Sequence, residues 1–202
     1  MTELERLLSQ PEIGELDEAR LMAALRSRAA DEGLLDVAFA PMDSPLGELL
    51  VFVTPRGVLK ISYETEGAGE ALDEVAARVS PRILNAPERT DEVRRELDEY
   101  FTGDRRSFDV PVDWSLVRGF SQGVLRATAR VPFGETTTYS HVAEAAGSPR
   151  AYRAAGNALG ANPIPIVVPC HRVLHSGGGL GGYAGGLERK RALLTLEGVL
   201  GS

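Results

Sequence analysis

Residues 164–173 have the sequence Ile-Pro-Ile-Val-Val-Pro-Cys-His-Arg-Val and contain the only cysteine of the 202-residue chain. A β-branched run framed by two prolines predicts a buried, extended segment with Cys170 at its end. A free thiol has a pKa near ~8.5, so a nucleophilic cysteine needs a base or a positive charge beside it. His171 and Arg172 are the obvious suppliers. Because adjacent side chains diverge, His171 would act through a bridging water or a turn.

An imidazole that activates a thiol needs a carboxylate to fix its tautomer and stabilise its charge. Four acidic residues follow position 114, namely Glu135, Glu144, Glu188 and Glu197. Glu197 lies on a helix predicted from Leu187 onward and is a candidate for this role. The alternative is that the lone cysteine is a small buried hydrophobe, which is the commoner case.

A glycine-rich loop follows the cysteine, and seven of the ten residues from 177 to 186 are glycine. Its backbone can approach a phosphate or a flat ligand closely, but it lacks the Lys-Ser/Thr ending of a nucleotide-binding P-loop. Tyr183 and the basic run at 189–191 favour an ordered loop facing an anionic or aromatic group. The alternative is a disordered linker.

Two short helices precede the cysteine and predict a helix-turn-helix. Thr138 is a plausible N-cap for a helix over 139–146, and Ser148-Pro149 opens a second helix that runs to about residue 160. Arg150, Arg153 and Asn157 would share one face of the second helix. Small neighbouring side chains and these polar groups favour contact with DNA, whereas alanines packed against other helices are the alternative.

The first half of the chain predicts an antiparallel meander with strands over 37–40, 48–53 and 58–63. A helix over 71–79, an extended piece at 82–84 and a helix over 88–101 ending at Gly103 follow. Residues 110–114 read as a linker into a long helix over 115–129. We therefore divide the chain into a helical extension (1–35, two helices split at Pro11 and Gly14), an α/β scaffold (36–110) and a C-terminal domain (115–202).

The net charge of −7 is unevenly distributed, with −4 over residues 1–35, −8 over 36–114 and +5 over 115–202. A basic C-terminal half suggests a domain that binds a polyanion, and an accidental distribution of solvated charge is the alternative. No stretch approaches the roughly 18 apolar residues of a membrane span. The acidic N-terminus lacks signal-peptide features, and a single cysteine fits a reducing, cytoplasmic setting.

The chain resembles the O6-alkylguanine-DNA alkyltransferases, also called methylated-DNA–protein-cysteine methyltransferases. The most specific match is Pro-Cys-His-Arg-Val at 169–173. Further matches are Val-Pro-Phe-Gly-Glu-Thr-Thr-Thr-Tyr at 131–139, Ala-Ala-Gly-Asn-Ala-Leu at 154–159, Asn-Pro-Ile-Pro-Ile at 162–166, Gly-Gly-Tyr-Ala-Gly-Gly-Leu at 181–187, Leu-Leu-Thr-Leu-Glu-Gly at 193–198, Asp-Ser-Pro-Leu-Gly at 43–47 and Leu-Asp-Glu-Tyr-Phe-Thr-Gly at 97–103.

The resemblance implies an α/β (α+β) fold of two domains. These are a ribonuclease-H-like N-terminal domain with an antiparallel sheet, and a helical, winged-helix C-terminal domain with a helix-turn-helix. It implies direct-reversal repair: the protein binds the minor groove of double-stranded DNA, flips out an O6-alkylguanine and moves the alkyl group irreversibly to its own cysteine. O4-alkylthymine is a further candidate substrate. The protein would be a suicide enzyme, monomeric, acting once without a cofactor.

The resemblance also assigns roles to individual residues. Cys170 is the alkyl acceptor, with His171 and Glu197 as a water-linked relay and Asn162 ordering the segment. Arg153 fills the gap left by the flipped nucleotide, and Tyr139 contacts the phosphate and the guanine. The DNA contacts expected are Arg150, Arg153, Tyr139 and Asn157. The residues expected to line the base pocket are Pro165, Val173, Tyr183, Ala184 and Gly185.

The chain departs from the family pattern at several positions. Ala184 stands where many members have a serine that would bind the guanine O6, and Tyr152 stands where a small residue is usual. Residues 1–35 have no counterpart that we identify. Some members hold an N-terminal zinc, but this chain has three histidines and no N-terminal cysteine, so no metal is expected.

Three other functions compete with the alkyltransferase hypothesis. A lesion-binding relative would lack the acceptor cysteine, which is present here. A Cys–His hydrolase would leave the helix-turn-helix and Arg153 without a purpose. A regulator that senses alkylation would need an added domain, for which residues 1–35 are too short.

Overall fold

The computed structural model describes residues 20, 21, 24, 26, 28, 29 and 32–201. Residues 36–202 form one compact unit, and residues 1–35 form another. The described residues from 20 to 29 are helical, as expected for the second of the two predicted N-terminal helices. The first predicted helix, before residue 14, lies outside the described residues. Within the described part of the chain, no helix is both long and apolar enough to cross a membrane.

The larger unit contains six strands and six α-helices among its described residues. In chain order these are β1 (Val37–Met42), β2 (Leu49–Thr54), β3 (Gly57–Tyr63), α1 (Ala68–Arg78), β4 (Ile83–Asn85), α2 (Pro87–Thr102), α3 (Gly119–Thr128), β5 (Thr137–Thr138), α4 (Tyr139–Ala145), α5 (Tyr152–Gly160), β6 (Val173–Leu174) and α6 (Leu187–Leu196). Short 3₁₀ helices cover Glu64–Glu66, Trp114–Leu116 and Cys170–Arg172.

The first half is built on a four-stranded sheet with the order β3-β2-β1-β4. β1 pairs antiparallel with β2, and β2 pairs antiparallel with β3, which confirms the predicted meander. β4 pairs with β1 in parallel. α2 packs across β1 and β2. Five consecutive residues of β2 are buried, so both faces of this strand are covered, since successive side chains of a strand point to opposite faces.

The second half is a helical bundle in which α3, α4 and α5 pack against one another. Thr138 caps α4 as predicted, because its side chain accepts a hydrogen bond from the His141 backbone N–H. β5 and β6 pair in parallel, with Thr137 opposite Val173. This short ladder joins the start of α4 to the chain just after Cys170.

Two helices begin later than the sequence predicted. The Asp113 carboxylate accepts a hydrogen bond from the Ser115 N–H and caps a 3₁₀ helix, after which Val117 and Arg118 are extended. The predicted helix over 115–129 therefore begins only at Gly119. Similarly, the Ala151 N–H donates to the Ser148 oxygen. This closes a turn with proline in its second position, so Ser148 does not cap α5.

The segment before the cysteine is buried as predicted, but it is not extended. Ile164, Ile166 and Val168 have no exposed surface. The Val168 N–H donates to the Ile164 oxygen at 2.9 Å, which closes a turn. Ile166 has a φ of +74°, a strained value for a β-branched residue. Prolines at 165 and 169 cannot donate to a strand ladder, so the apolar run bends instead.

The predicted linker at 110–114 is tied to the sheet. The Val58 N–H donates to the Pro111 oxygen and the Asp113 N–H donates to the Val58 oxygen, both at 2.8 Å. Gly57, directly before this contact, has a φ of +125°, and a Cβ added there would lie 2.0 Å from the Pro111 oxygen. Glycine is therefore required for the linker to approach β3 closely.

We expect Gly57→Ala to lower the free energy of unfolding by about 2–4 kcal/mol, because the backbone must shift to relieve this clash. Urea unfolding followed by circular dichroism measures the change. Gly69→Ala is the matched control, since nothing lies within 4 Å of the added Cβ in α1. It should be neutral or slightly stabilising, and similar losses in both variants would contradict the explanation.

Candidate active site

Cys170 opens a 3₁₀ helix directly after Pro169 and is only 6% exposed. Its backbone N–H donates to the Val168 oxygen at 2.8 Å, and the Arg172 N–H donates to the Pro169 oxygen at 3.0 Å. The sulfur is thus presented from a tight, buried turn rather than from a mobile loop.

The side chain of Asn162 holds this turn together. Its Nδ2 donates to the Val168 oxygen at 2.8 Å and contacts Cys170 Sγ at 3.1 Å, while its Oδ1 accepts from the Ile164 N–H at 3.1 Å. One buried amide therefore bridges both ends of the bent segment and reaches the sulfur.

Glu197 is the buried anion of the site, and it is the C-cap residue of α6. Its Oε1 lies 2.9 Å from His171 Nε2 and accepts from the Tyr100 hydroxyl at 2.6 Å. Arg172 donates to both carboxylate oxygens at 2.8–3.1 Å. Burial alone would raise the pKa of Glu197, but the hydrogen bonds from His171 and Arg172 outweigh it and hold the pKa at about 2. Glu197 is therefore ionised at neutral pH.

His171 is fully buried, and burial lowers its pKa despite the neighbouring Glu197. The imidazole is therefore neutral near pH 7. An ionised carboxylate can only accept hydrogen bonds, so Nε2 must carry the proton that faces Glu197. Nδ1 then has a free lone pair, and among the described residues it has no hydrogen-bond partner. This is the tautomer that a general base requires.

The Cys170 thiol is protonated in the resting site. Burial raises its pKa to about 11, although the Asn162 amide and the charge of Lys190 oppose the shift. Lys190 is itself buried and donates to the backbone oxygens of Val173 and Leu180. Burial lowers the pKa of Lys190 to about 8. A reaction in which this thiol acts as a nucleophile would therefore require a base.

A pocket of about 710 Å³ opens at Cys170. Of the predicted residues, Tyr139, Arg153, Tyr183 and Ala184 line it together with the cysteine. The pocket therefore lies between the helix-turn-helix and the glycine-rich loop.

The other residues expected to bind the base or the DNA are placed differently. Pro165, Val173 and Gly185 are buried and do not belong to the pocket wall that the structure describes. Asn157 shares a face of α5 with Arg153, outside the pocket, whereas Arg150 lies in the turn before the helix and not on it. Of the three residues predicted to share a helix face, only Arg153 and Asn157 therefore do so.

Several residues of the site were missed or misassigned in the sequence. Arg172 was considered as a cation for the thiol, but it pairs with Glu197, and Lys190 is the cation whose charge lowers the thiol pKa. Tyr100 is 97 positions from Glu197 in the chain. It lies in the motif at 97–103, yet nothing local indicates its partner. His175, whose ring centroid lies 5.1 Å from that of Tyr139, also lines the pocket.

Within the described residues, no group of three or more His, Cys, Asp or Glu side chains is arranged to hold a metal ion.

Two family models match the chain. The model described as "6-O-methylguanine DNA methyltransferase, ribonuclease-like domain" matches residues 37–114, and that described as "6-O-methylguanine DNA methyltransferase, DNA binding domain" matches residues 119–199. The chain belongs to the 6-O-methylguanine DNA methyltransferase family. The resemblance drawn from the sequence is confirmed. The cysteine, its histidine and Glu197 all lie in the DNA-binding domain of the family, whereas Tyr100 comes from the ribonuclease-like domain.

Individual relatives agree with the family models. A methylated-DNA–protein-cysteine methyltransferase of Mycobacterium tuberculosis is 50% identical over 104 residues, which are 50% of this chain and 61% of the relative. The match therefore spans less than two thirds of that protein. The Methanosarcina acetivorans protein of the same name is 37% identical over 160 residues, 79% of this chain and 97% of its own length.

The fold is confirmed by solved structures. The crystal structure of M. tuberculosis OGT in complex with DNA matches with a TM-score of 0.68 and 36% sequence identity, covering 79% of this chain and 92% of the other. The predicted fold class, with an antiparallel sheet in the first domain and a helical second domain, is therefore correct.

We expect Glu197→Gln to lower the free energy of unfolding at pH 7 by about 3–5 kcal/mol, because the buried Arg172 loses its counter-charge. Chemical denaturation of the purified variant measures this. Glu135→Gln, at an exposed position, is the matched control and should change stability by less than about 0.5 kcal/mol. A small effect of Glu197→Gln would show that its charge does not hold the site together.

The contribution of Glu197 should also depend on pH. Its pKa is about 2 in the folded protein against a usual 4.5, so the ionised Glu197 carboxylate stabilises the folded protein above pH 4.5. This advantage is lost as pH falls towards 2 and amounts to about 3 kcal/mol. The stability difference between wild type and Glu197→Gln should therefore shrink when urea unfolding is repeated from pH 5 down to pH 3. A difference that stays constant would contradict the depressed pKa.

Proposed function

We propose that the protein repairs double-stranded DNA by transferring a methyl or larger alkyl group from the O6 of guanine to Cys170 Sγ. The observation that carries the proposal is the site itself. A protonated, buried thiol opens into a pocket beside a helix-turn-helix, next to a neutral histidine whose tautomer is set by an ionised glutamate. Membership of the methyltransferase family and the DNA complex of a relative support it.

DNA is the proposed partner of the basic C-terminal domain. Arg153 and Tyr139 stand at the pocket, and Arg153 and Asn157 share the exposed face of α5. Chemistry on a base inside a duplex requires the nucleotide to leave the stack, at a cost of a few kcal/mol. In the proposed complex α5 enters the minor groove, Arg153 occupies the gap in the stack, and the flipped base enters the pocket.

The proposed reaction begins with proton transfer. The thiol gives its proton through a bridging water to His171 Nδ1, and the resulting imidazolium is stabilised by Glu197 through Nε2. The thiolate then attacks the alkyl carbon. A C–S bond forms while the C–O6 bond breaks, and the electron pair of the broken bond goes to O6. Burial, followed by the charge of Cys170, raises the pKa of Tyr139. Its hydroxyl therefore stays protonated and donates a hydrogen bond to the guanine oxygen as the C–O6 bond breaks. Solvent then supplies the proton that completes the guanine, and the His171 imidazolium releases the proton of the thiol to solvent.

The product of this reaction is a thioether, which offers no easy leaving group. Each molecule therefore acts once, and repair is stoichiometric. Because Ala184 lines the pocket without a hydroxyl, recognition of O6 falls to backbone N–H groups and to the shape of the wall. The same looser recognition would admit O4-alkylthymine, which we include among the proposed substrates.

Intact-protein mass spectrometry after incubation with a duplex that contains one O6-methylguanine tests the proposal. We expect a gain of one methyl group per protein, and peptide mapping should place it on Cys170. The Cys170→Ser control should gain no mass, since an alcohol is a far weaker nucleophile than a thiolate. Tight binding to the lesion without any mass gain would instead identify a lesion-binding protein, and repeated turnover would identify a hydrolase.

A further inference from the structure

One residue of the ribonuclease-like domain, Tyr63, contacts the pocket wall. It is the last residue of β3 and is only 3% exposed. Its hydroxyl lies 2.7 Å from the hydroxyl of Tyr183, 120 positions later in the chain. Tyr183 lines the pocket beside Cys170. The hydroxyl end of the Tyr183 side chain is thus hydrogen-bonded to a side chain of the other domain.

The surroundings of Tyr63 keep this contact in place. A Cβ added at Gly185 would lie 2.6 Å from the Tyr63 ring and 2.9 Å from the Tyr183 ring, so both rings close around a bare backbone. The Arg189 guanidinium lies 4.7 Å from the centre of the Tyr63 ring and donates to the Leu46 and Gly185 oxygens. The two tyrosine rings are therefore packed against the Gly185 backbone, and the Tyr63 ring is also packed against Arg189.

Both phenols keep their protons. Burial raises the pKa of Tyr63 and of Tyr183, and a charge on Cys170 raises both further. The two hydroxyls thus remain a hydrogen-bonded pair while the thiolate forms.

The next residue in the loop, Ala184, cannot hydrogen-bond a ligand through its side chain. With a hydroxyl missing at this point of the wall, alignment of the base depends more on shape, and therefore on how firmly Tyr183 is held.

We propose that Tyr63 is a positioning residue of the base pocket, which fixes the Tyr183 ring and thereby determines how well Cys170 discriminates between small and large alkyl groups. This inference rests on the proposed alkyl transfer. A methyl group makes few contacts of its own, so its guanine relies on a rigid wall for alignment. A benzyl group fills the pocket and packs against the wall directly, so it depends less on the hydroxyl pair.

The experiment compares two duplexes of the same sequence, one with O6-methylguanine and one with O6-benzylguanine. Single-turnover rates of Cys170 alkylation are measured over a range of DNA concentrations, so that binding and chemistry separate. Tyr63→Phe removes only the hydroxyl. We expect its maximal rate on the methyl substrate to fall about five- to tenfold, the range for losing one buried hydrogen bond. The benzyl rate should fall less than about twofold, so the selectivity ratio shifts.

Two further variants separate positioning from stability. Tyr183→Phe removes the same hydrogen bond from the other side, so it should shift the ratio equally, and the double variant should add nothing. Arg78→Leu removes the 2.5 Å hydrogen bond to the Leu116 oxygen and the ion pair with Glu74, and none of these three residues lines the pocket. It should lower the melting temperature and leave the selectivity ratio unchanged.

The outcomes are distinct. An unchanged ratio in Tyr63→Phe, or an equal fall on both substrates together with a lower melting temperature, would assign Tyr63 a purely structural role. A ratio that also shifts in Arg78→Leu would show that general loosening is responsible. Wild-type protein that gains no mass on Cys170 would overturn the proposed function and this inference together. Normal wild-type alkylation with an unchanged ratio would overturn the inference alone.

Discussion

The carboxylate of Glu197 is the group on which the remaining structure of the site depends. It accepts hydrogen bonds from α2 through Tyr100 and from the cysteine turn through His171 and Arg172. An unpaired buried carboxylate is very costly, so these elements must assemble around it or the fold loses far more than one contact. The same pairing fixes the tautomer of the neutral His171 imidazole. One interaction thus contributes both to stability and to the proposed chemistry.

The turn that carries Cys170 is shaped by a second buried polar side chain. Asn162 satisfies the backbone groups that a bent segment cannot pair within itself, and the strained φ of Ile166 persists because tight packing encloses it. The Pro163 oxygen also accepts a hydrogen bond from the Ile61 N–H of β3. The two domains are therefore joined directly behind the turn that carries Cys170, and the first domain is part of the support of the site.

The sequence predicted those features whose causes are local. The cap at Thr138 and the meander of β1 to β3 each follow from a few adjacent residues. The predictions were wrong where the structure depends on a hydrogen bond from a residue outside the local sequence pattern. The run at 164–168 has the composition of a strand, yet the Asn162 side chain and two prolines bend it. Tyr100 and Glu197 meet across the domains, and no spacing rule connects positions so far apart.

The short ladder between β5 and β6 has a mechanical consequence. Thr137 and Thr138 pair with Val173 and Leu174, so the start of the DNA-facing helix pair and the chain leaving Cys170 share backbone rungs. The groups that would grip the DNA and the sulfur that would react then move as one body. Under the proposed function, the alkylated nucleotide would therefore have to reach the sulfur, because the sulfur would not move towards the groove. The large displacement in the complex would be one of the DNA rather than of the protein.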